Sequence, residues 1–163
     1  ARSFADIGDI VRGRDLYLGK KKKKQNGKGT ETERDQLESK LKEIFKEIHD
    51  EVTRGKQNVE LKTRYQNDTD NYFQLREDWW TANRSTVWKA ITCDDDDNKL
   101  RGASYFRPTC IDGKSQSQAH DKCRCPKTSD GKAIKGSGDG DVNIVPTYFD
   151  YVPQYLRWFD EWA

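Results

Sequence analysis

The chain has 163 residues, 33% of them hydrophobic and 36% charged, with 30 Lys and Arg against 28 Asp and Glu. That length suits one domain, and the near balance of charge excludes a global electrostatic pull toward nucleic acid or membrane, leaving only local patches. No apolar run approaches the roughly 20 residues that a bilayer span needs, and a core built from so low a hydrophobic fraction must lean on five Trp, seven Tyr and six Phe or on covalent staples. The chain has no methionine, and its last stretch "QYLRWFDEWA" keeps helical apolar spacing with no stop signal; both read as an excerpt from a larger polypeptide.

In chain order, the first expected helix spans about 3–12, with Ser3 as cap, Asp6 as its capping-box acid and Gly13 as the stop. Phe4, Ile7 and Val11 share one face of it. Lys20, Lys21, Lys22, Lys23 and Lys24 follow in a polar, glycine-bearing loop. A second helix is expected over 32–54, where Leu37, Leu41, Ile44, Phe45, Ile48 and Val52 make an amphipathic stripe. Thr30 with Glu33 is its expected capping box and Gly55 its stop. The third helix, about 71–92, carries "DWW" and Trp88; Leu75, Trp79, Ala82, Thr86 and Ala90 fall on one face, with Trp80, Val87 and Ile91 beside it. A last helix runs over 153–163 with Pro153 at its first position. Between residues 93 and 146 periodicity fades, so a long loop region is expected there. The fold class is thus mainly α: a bundle of amphipathic helices, with Trp79, Trp80, Trp88, Leu41, Phe45, Leu156 and Phe159 as core scaffold and long disulfide-stapled loops.

Cys93, Cys110, Cys123 and Cys125 are an even set within or beside that loop region, the pattern of a disulfide framework in an oxidising compartment. Neighbours in "KCRC" pair poorly with each other, so Cys93 and Cys110 are divided between Cys123 and Cys125. The nested division, Cys93 with Cys125 and Cys110 with Cys123, is the first expectation and the other division stays open. Zinc on Cys110, His120, Cys123 and Cys125 is the rival use of these residues, although C-x-C departs from the usual C-x₂₋₄-C spacing.

Little else carries chemistry. Lys20–Lys24 is a weak candidate for binding an acidic glycan, and more often such a run is a solvated loop. Asp94–Asp97 lacks the alternation and the glycine of a calcium loop, and Gly136–Asp141 lacks the frame of a phosphate loop. Asn67 and Asn83 open glycosylation sequons of low weight. There is no triad, no paired acid and base and no nucleotide motif, so no catalysis, cofactor or metal is expected.

The stretches "ARSFADIGDIVRGRDLYLG", "LREDWWTANRSTVWKAITC", "KCRC" and "PTYFDYVPQYLRWFDEWA" occur in that order. Together they closely resemble the Duffy-binding-like domain, alpha class, of the malaria parasite's variant erythrocyte membrane protein. The resemblance implies a central portion, 1–163, of one such helical, disulfide-bonded domain. It also implies an adhesin exported to the surface of the infected red cell, whose membrane-spanning segment lies outside these residues. Its work would be binding of host red-cell or endothelial receptors and sulfated glycans, rosetting and antigenic variation, with the rest of the parent domain as a further partner, no nucleic acid and no catalysis. An intracellular, zinc-stabilised nucleic-acid module is the alternative.

Overall fold

The computed structural model describes residues 1–17, 32–54, 59–93, 99–112, 115–125 and 145–160, apart from the side chains of Cys93, Ile111, Asp112, Ser115 and Asp160. Lys20–Lys24, Thr30, Gly55, Asp94–Asp97, Gly136–Asp141 and Trp162 lie outside those residues. The elements are α1 (Arg2–Arg12), α2 (Glu33–Arg54), α3 (Val59–Tyr65), α4 (Phe73–Cys93), β1 (Pro108–Asp112), β2 (Ser115–Gln118), a 3-10 turn (Phe149–Tyr151) and α5 (Gln154–Asp160). The mainly helical, disulfide-bonded fold class is the expected one. The chain forms two compact units: one gathers Asp6–Thr81 and α5, the other Ala1–Ala5 and Ala82–Pro153.

In the first unit, α1 ends in a complete Schellman turn. Gly13 takes φ +70, its N–H donates to the Ile10 carbonyl at 3.1 Å, and the Arg14 N–H donates to the Asp9 carbonyl at 2.7 Å. The start differs from expectation. α1 begins at Arg2, and the Ala5 N–H donates to the Ala1 carbonyl, so Ser3 is an interior residue and no cap. The box at the head of α2 also moves. Thr32 and Asp35 exchange bonds, the Asp35 N–H donating to Thr32 Oγ1 at 3.1 Å and the Thr32 N–H to Asp35 Oδ2 at 2.8 Å. Those bonds hold the Asp35 carboxyl below its ordinary range. The first residue with helical backbone is Glu33, which makes Asp35 the third helical residue and Thr32 its partner at the cap.

Phe45, Tyr65 and Leu75 form the buried centre of this unit, with Leu41, Ile48, Val52, Leu61 and Trp79 packed around them. Phe45 meets Trp79 edge to face at 6.0 Å. Leu37 and Ile44, expected in the stripe of α2, are 41% and 52% exposed; only the part of the stripe facing α3 and α4 is covered. α3 was not expected from periodicity, being a mere seven residues long. It earns its place through Arg64 and Tyr65: Arg64 forks onto both oxygens of Asp78 at 2.6 and 2.9 Å, and the Tyr65 hydroxyl donates to Asp78 Oδ2 at 2.6 Å.

The apolar face expected on α4 is covered only at its start, where Leu75 is buried and Trp79 is packed. Ala82, Thr86 and Ala90 are exposed, whereas Arg76, Trp80, Trp88 and Thr92 are buried and Arg84 is mostly so. The covered stripe therefore steps by four residues as Arg, Trp, Arg, Trp, Thr. Within the first unit, Arg76 donates to the Val11 carbonyl at 2.5 Å and the Ile10 carbonyl at 3.1 Å. It also forks onto Glu38 of α2 at 2.6 and 3.0 Å. It thus closes the Val11 carbonyl at the end of α1 and adds a second bond to that of Ile10, which already accepts the Gly13 N–H. Trp80, fully buried, lies on Gly8, where an added Cβ would stand 2.8 Å from the indole. α4 starts at Phe73 rather than near Asn71, because Tyr72 has φ +53 and Asp68 accepts the Leu75 N–H at 2.8 Å.

α5 corrects another expectation. It begins at Gln154, directly after Pro153, and Leu156 and Phe159 are 44% and 70% exposed rather than core. Polar side chains seat it instead. Gln154 accepts the Leu16 N–H at 2.6 Å and donates to Asp15 at 2.8 Å, while Arg157 reaches Asp9 at 2.7 Å and Asp6 at 2.9 Å.

In the second unit Phe4 meets Trp88 edge to face at 5.1 Å. Arg84 forks onto the fully buried Asp150 at 2.7 and 2.8 Å and donates to the Thr147 carbonyl at 2.7 Å. The rings of Phe4, Tyr148 and Tyr151 surround its guanidinium at 5.6, 5.3 and 5.1 Å. The region expected to be loop-rich, with "ASYFRPTC" as a short extended piece, holds an antiparallel hairpin, β1 on β2, with Cys110 opposite Ser117.

Three outcomes follow for stability. Gly8→Ala gains about 1 kcal/mol of helix propensity but overpacks a fixed indole at a cost of about 1–3 kcal/mol, so urea unfolding should show a net loss. Asp150→Asn should cost about 3–5 kcal/mol, because it strands a desolvated guanidinium. The Arg64 fork holds the Asp78 carboxyl down at about 2, below its unfolded value of about 4. Its contribution is therefore full above pH 4 and is lost as pH falls toward 2. The gap in melting temperature between the parent chain and Asp78→Asn should close over that interval.

Candidate functional site

The cysteine region is held by a disulfide and a short hairpin beside a cavity. Cys110 on β1 is bonded to Cys125, with Cα atoms 5.5 Å apart and a sequence separation of 15. A loop of that length is worth about 3 kcal/mol in the chain-entropy account. The nested pairing, which joined Cys110 to Cys123 and Cys93 to Cys125, is not the one formed. The reason lies in the turn before Cys125: Asp121, Lys122 and Cys123 all take positive φ, and His120 bridges to Arg124. After this left-handed turn it is Cys125 that joins the small core of Tyr105, Cys110 and Ala119. Cys123 carries a free, half-buried thiol whose pKa burial pushes up, which makes it a poor nucleophile. The Cys93 side chain lies outside the description.

The zinc arrangement on Cys110, His120, Cys123 and Cys125 is not formed either. Two of its sulfurs are spent on each other, and among the described residues no group of three or more His, Cys, Asp or Glu stands close enough to share an ion.

The hairpin has one irregularity. Pro108 pairs with Gln118 and Cys110 with Ser117, so Thr109 is an extra residue with no partner across the ladder. Thr109 lines a cavity of about 320 Å³ together with Tyr105, Arg107, Pro108, Pro146 and Phe149. Its hydroxyl is buried and makes no hydrogen bond among the described residues. Arg107, exposed, lies over the Phe106 ring at 5.3 Å and the Phe149 ring at 5.4 Å, and has no carboxylate partner among the described residues. Tyr148, 65% exposed, also lines the cavity, and Phe106, 63% exposed, adjoins Arg107 in sequence.

Of the residues singled out from sequence, Trp80, Trp88 and Phe45 are buried, and Leu41 and Trp79 are partly so. They are scaffold, and they do not converge on a site. Sequence reasoning missed Arg76, Arg84 and Arg107. The first two had a readable signal, since they alternate with Trp80 and Trp88 every four residues. Arg107 had none, because the segment that supplies Phe149 lies some forty residues away.

The family model for the Duffy binding domain matches residues 1–157. Among solved structures, the "Structure of the ICAM-1-binding PfEMP1 IT4var13 DBLbeta domain" is similar at 28% identity over 98% of this chain, with a TM-score of 0.48. The chain spans 25% of that structure's length. No curated protein matches the chain. A family match across nearly the whole length is decisive: the chain belongs to the Duffy binding domain family, whose members are adhesion modules and not enzymes.

Proposed function

We propose that the chain is an adhesion domain of the alpha class that binds receptors or sulfated glycans on host red cells or endothelium, as part of a protein exported to the infected-cell surface. The observation that carries this reading is the family match over residues 1–157. The fold supports it in kind. Its fixed parts are helices locked by buried ion pairs and a disulfide, which suits a frame that presents variable segments to a partner. Among the described residues no helix is long and apolar enough to cross a membrane. Sulfated glycans are assigned to Lys20–Lys24 on charge alone: five consecutive ammonium groups concentrate positive potential in a chain whose formal net charge is only +2.

The test displays the chain on cultured cells and scores capture of red cells and endothelial cells, with a heparin column in parallel. Capture above that by an unrelated helical domain supports adhesion; its absence on both cell types overturns it. Replacing Lys20–Lys24 by glutamine should move heparin elution to lower salt, since contacts of this kind are screened over about 8 Å at physiological ionic strength. Unchanged elution would remove the glycan assignment while leaving receptor capture as the open measurement.

A further inference from the structure

We infer that the cavity beside the β1 bulge receives one large apolar side chain of a protein ligand, with a neighbouring carboxylate of that ligand paired to Arg107. This deepens the adhesion reading and rests on it. A volume of about 320 Å³ is at the small end of ligand pockets, room for a single side chain rather than a run of sugars. The walls agree with that size. Tyr105, Pro108, Pro146 and Phe149 supply apolar surface, and no Asp, Glu, Asn or Gln lines the cavity. Arg107 and the hydroxyls of Tyr105, Thr109, Thr147 and Tyr148 are the polar side-chain groups at its walls, and a sugar acid that would use them is an outcome of the test.

Charge narrows the partner further. The Arg107 guanidinium lies against two rings, so its plane is held before any ligand arrives and less freedom is lost on binding. With no carboxylate partner among the described residues, it offers a forked, charge-assisted bond to an acidic group. The unpaired Thr109 hydroxyl, carried by the bulge residue, is a second unmet polar group in the same place. Arginine and exposed aromatic side chains at a small pocket are also the composition of interface hot spots.

The experiment measures saturation-transfer NMR from the chain to four probes: capped Gly-Glu-Phe-Glu-Gly, its Gln-Phe-Gln and Glu-Ala-Glu counterparts, and glucuronate. Transfer should be strongest to the phenylalanine ring of the first peptide, with amide shifts at Thr109 and Phe149. Binding should weaken about fivefold when its glutamates become glutamines, the effect of roughly one exposed charge pair. The alanine peptide should give little transfer. Arg107→Gln, at an exposed position that should not disturb folding, should abolish the preference for glutamate over glutamine while leaving the phenylalanine preference. Equal transfer to the phenylalanine and alanine peptides overturns the proposal, as does stronger transfer to glucuronate or an unaltered glutamate preference in Arg107→Gln. Cell capture is scored separately. A chain that binds the peptide but holds no cells refutes adhesion, whereas one that holds cells and ignores the peptide refutes this pocket alone.

Discussion

A guanidinium withdrawn from water must find partners for five N–H donors, and the way Arg76 and Arg84 meet that demand dictates the rest of the structure. Each sits on α4 and each forks onto one carboxylate, Glu38 or Asp150. Each also donates to backbone carbonyls far away in sequence, Ile10 and Val11 for Arg76, Thr147 for Arg84. Such geometry admits one arrangement of the segments concerned, because a shift of an ångström would strand a charge in low dielectric. Replacing a buried pair with hydrophobic residues is often no worse for stability. The arginines are therefore best understood as fixing which elements meet, while Trp80, Trp88, Phe4 and Phe45 supply the apolar burial.

This division of labour explains what was legible. The helices were visible because Leu41, Phe45, Ile48 and Val52 repeat at helical spacing, and the stop at Gly13 because only glycine takes φ +70 cheaply. The face of α4 was not. Apolar periodicity marks Leu75, Trp79 and Ala82, yet only the first two are covered, and the stripe that stays covered farther along contains two arginines, which any hydrophobicity argument assigns to solvent. α5 inverts the rule in the same manner, hiding Gln154 and Arg157 and presenting Tyr155, Leu156 and Phe159. Both misreadings have one physical source: a charged side chain is readily buried when a partner waits for it, and sequence does not show the partner.

The candidate site was hidden for a different reason. Its walls come from 105–109 and 146–152, and neither segment has a period to read. The bulge at Thr109 depends on how β1 registers against β2, which no local pattern fixes. The cysteines were recognised as staples, yet the pairing turned on a left-handed run at Asp121–Cys123 that spacing alone does not reveal. Family resemblance, rather than any local chemical motif, carried the functional reading.

The seating of α5 has an evolutionary corollary. Its hold on the unit comes through Gln154 and Arg157, so the outward residues Tyr155, Leu156 and Phe159 contribute little to keeping it in place. Substitutions there would leave the polar seat intact and come at small thermodynamic expense. The helix's outward lettering is thus decoupled from its anchorage.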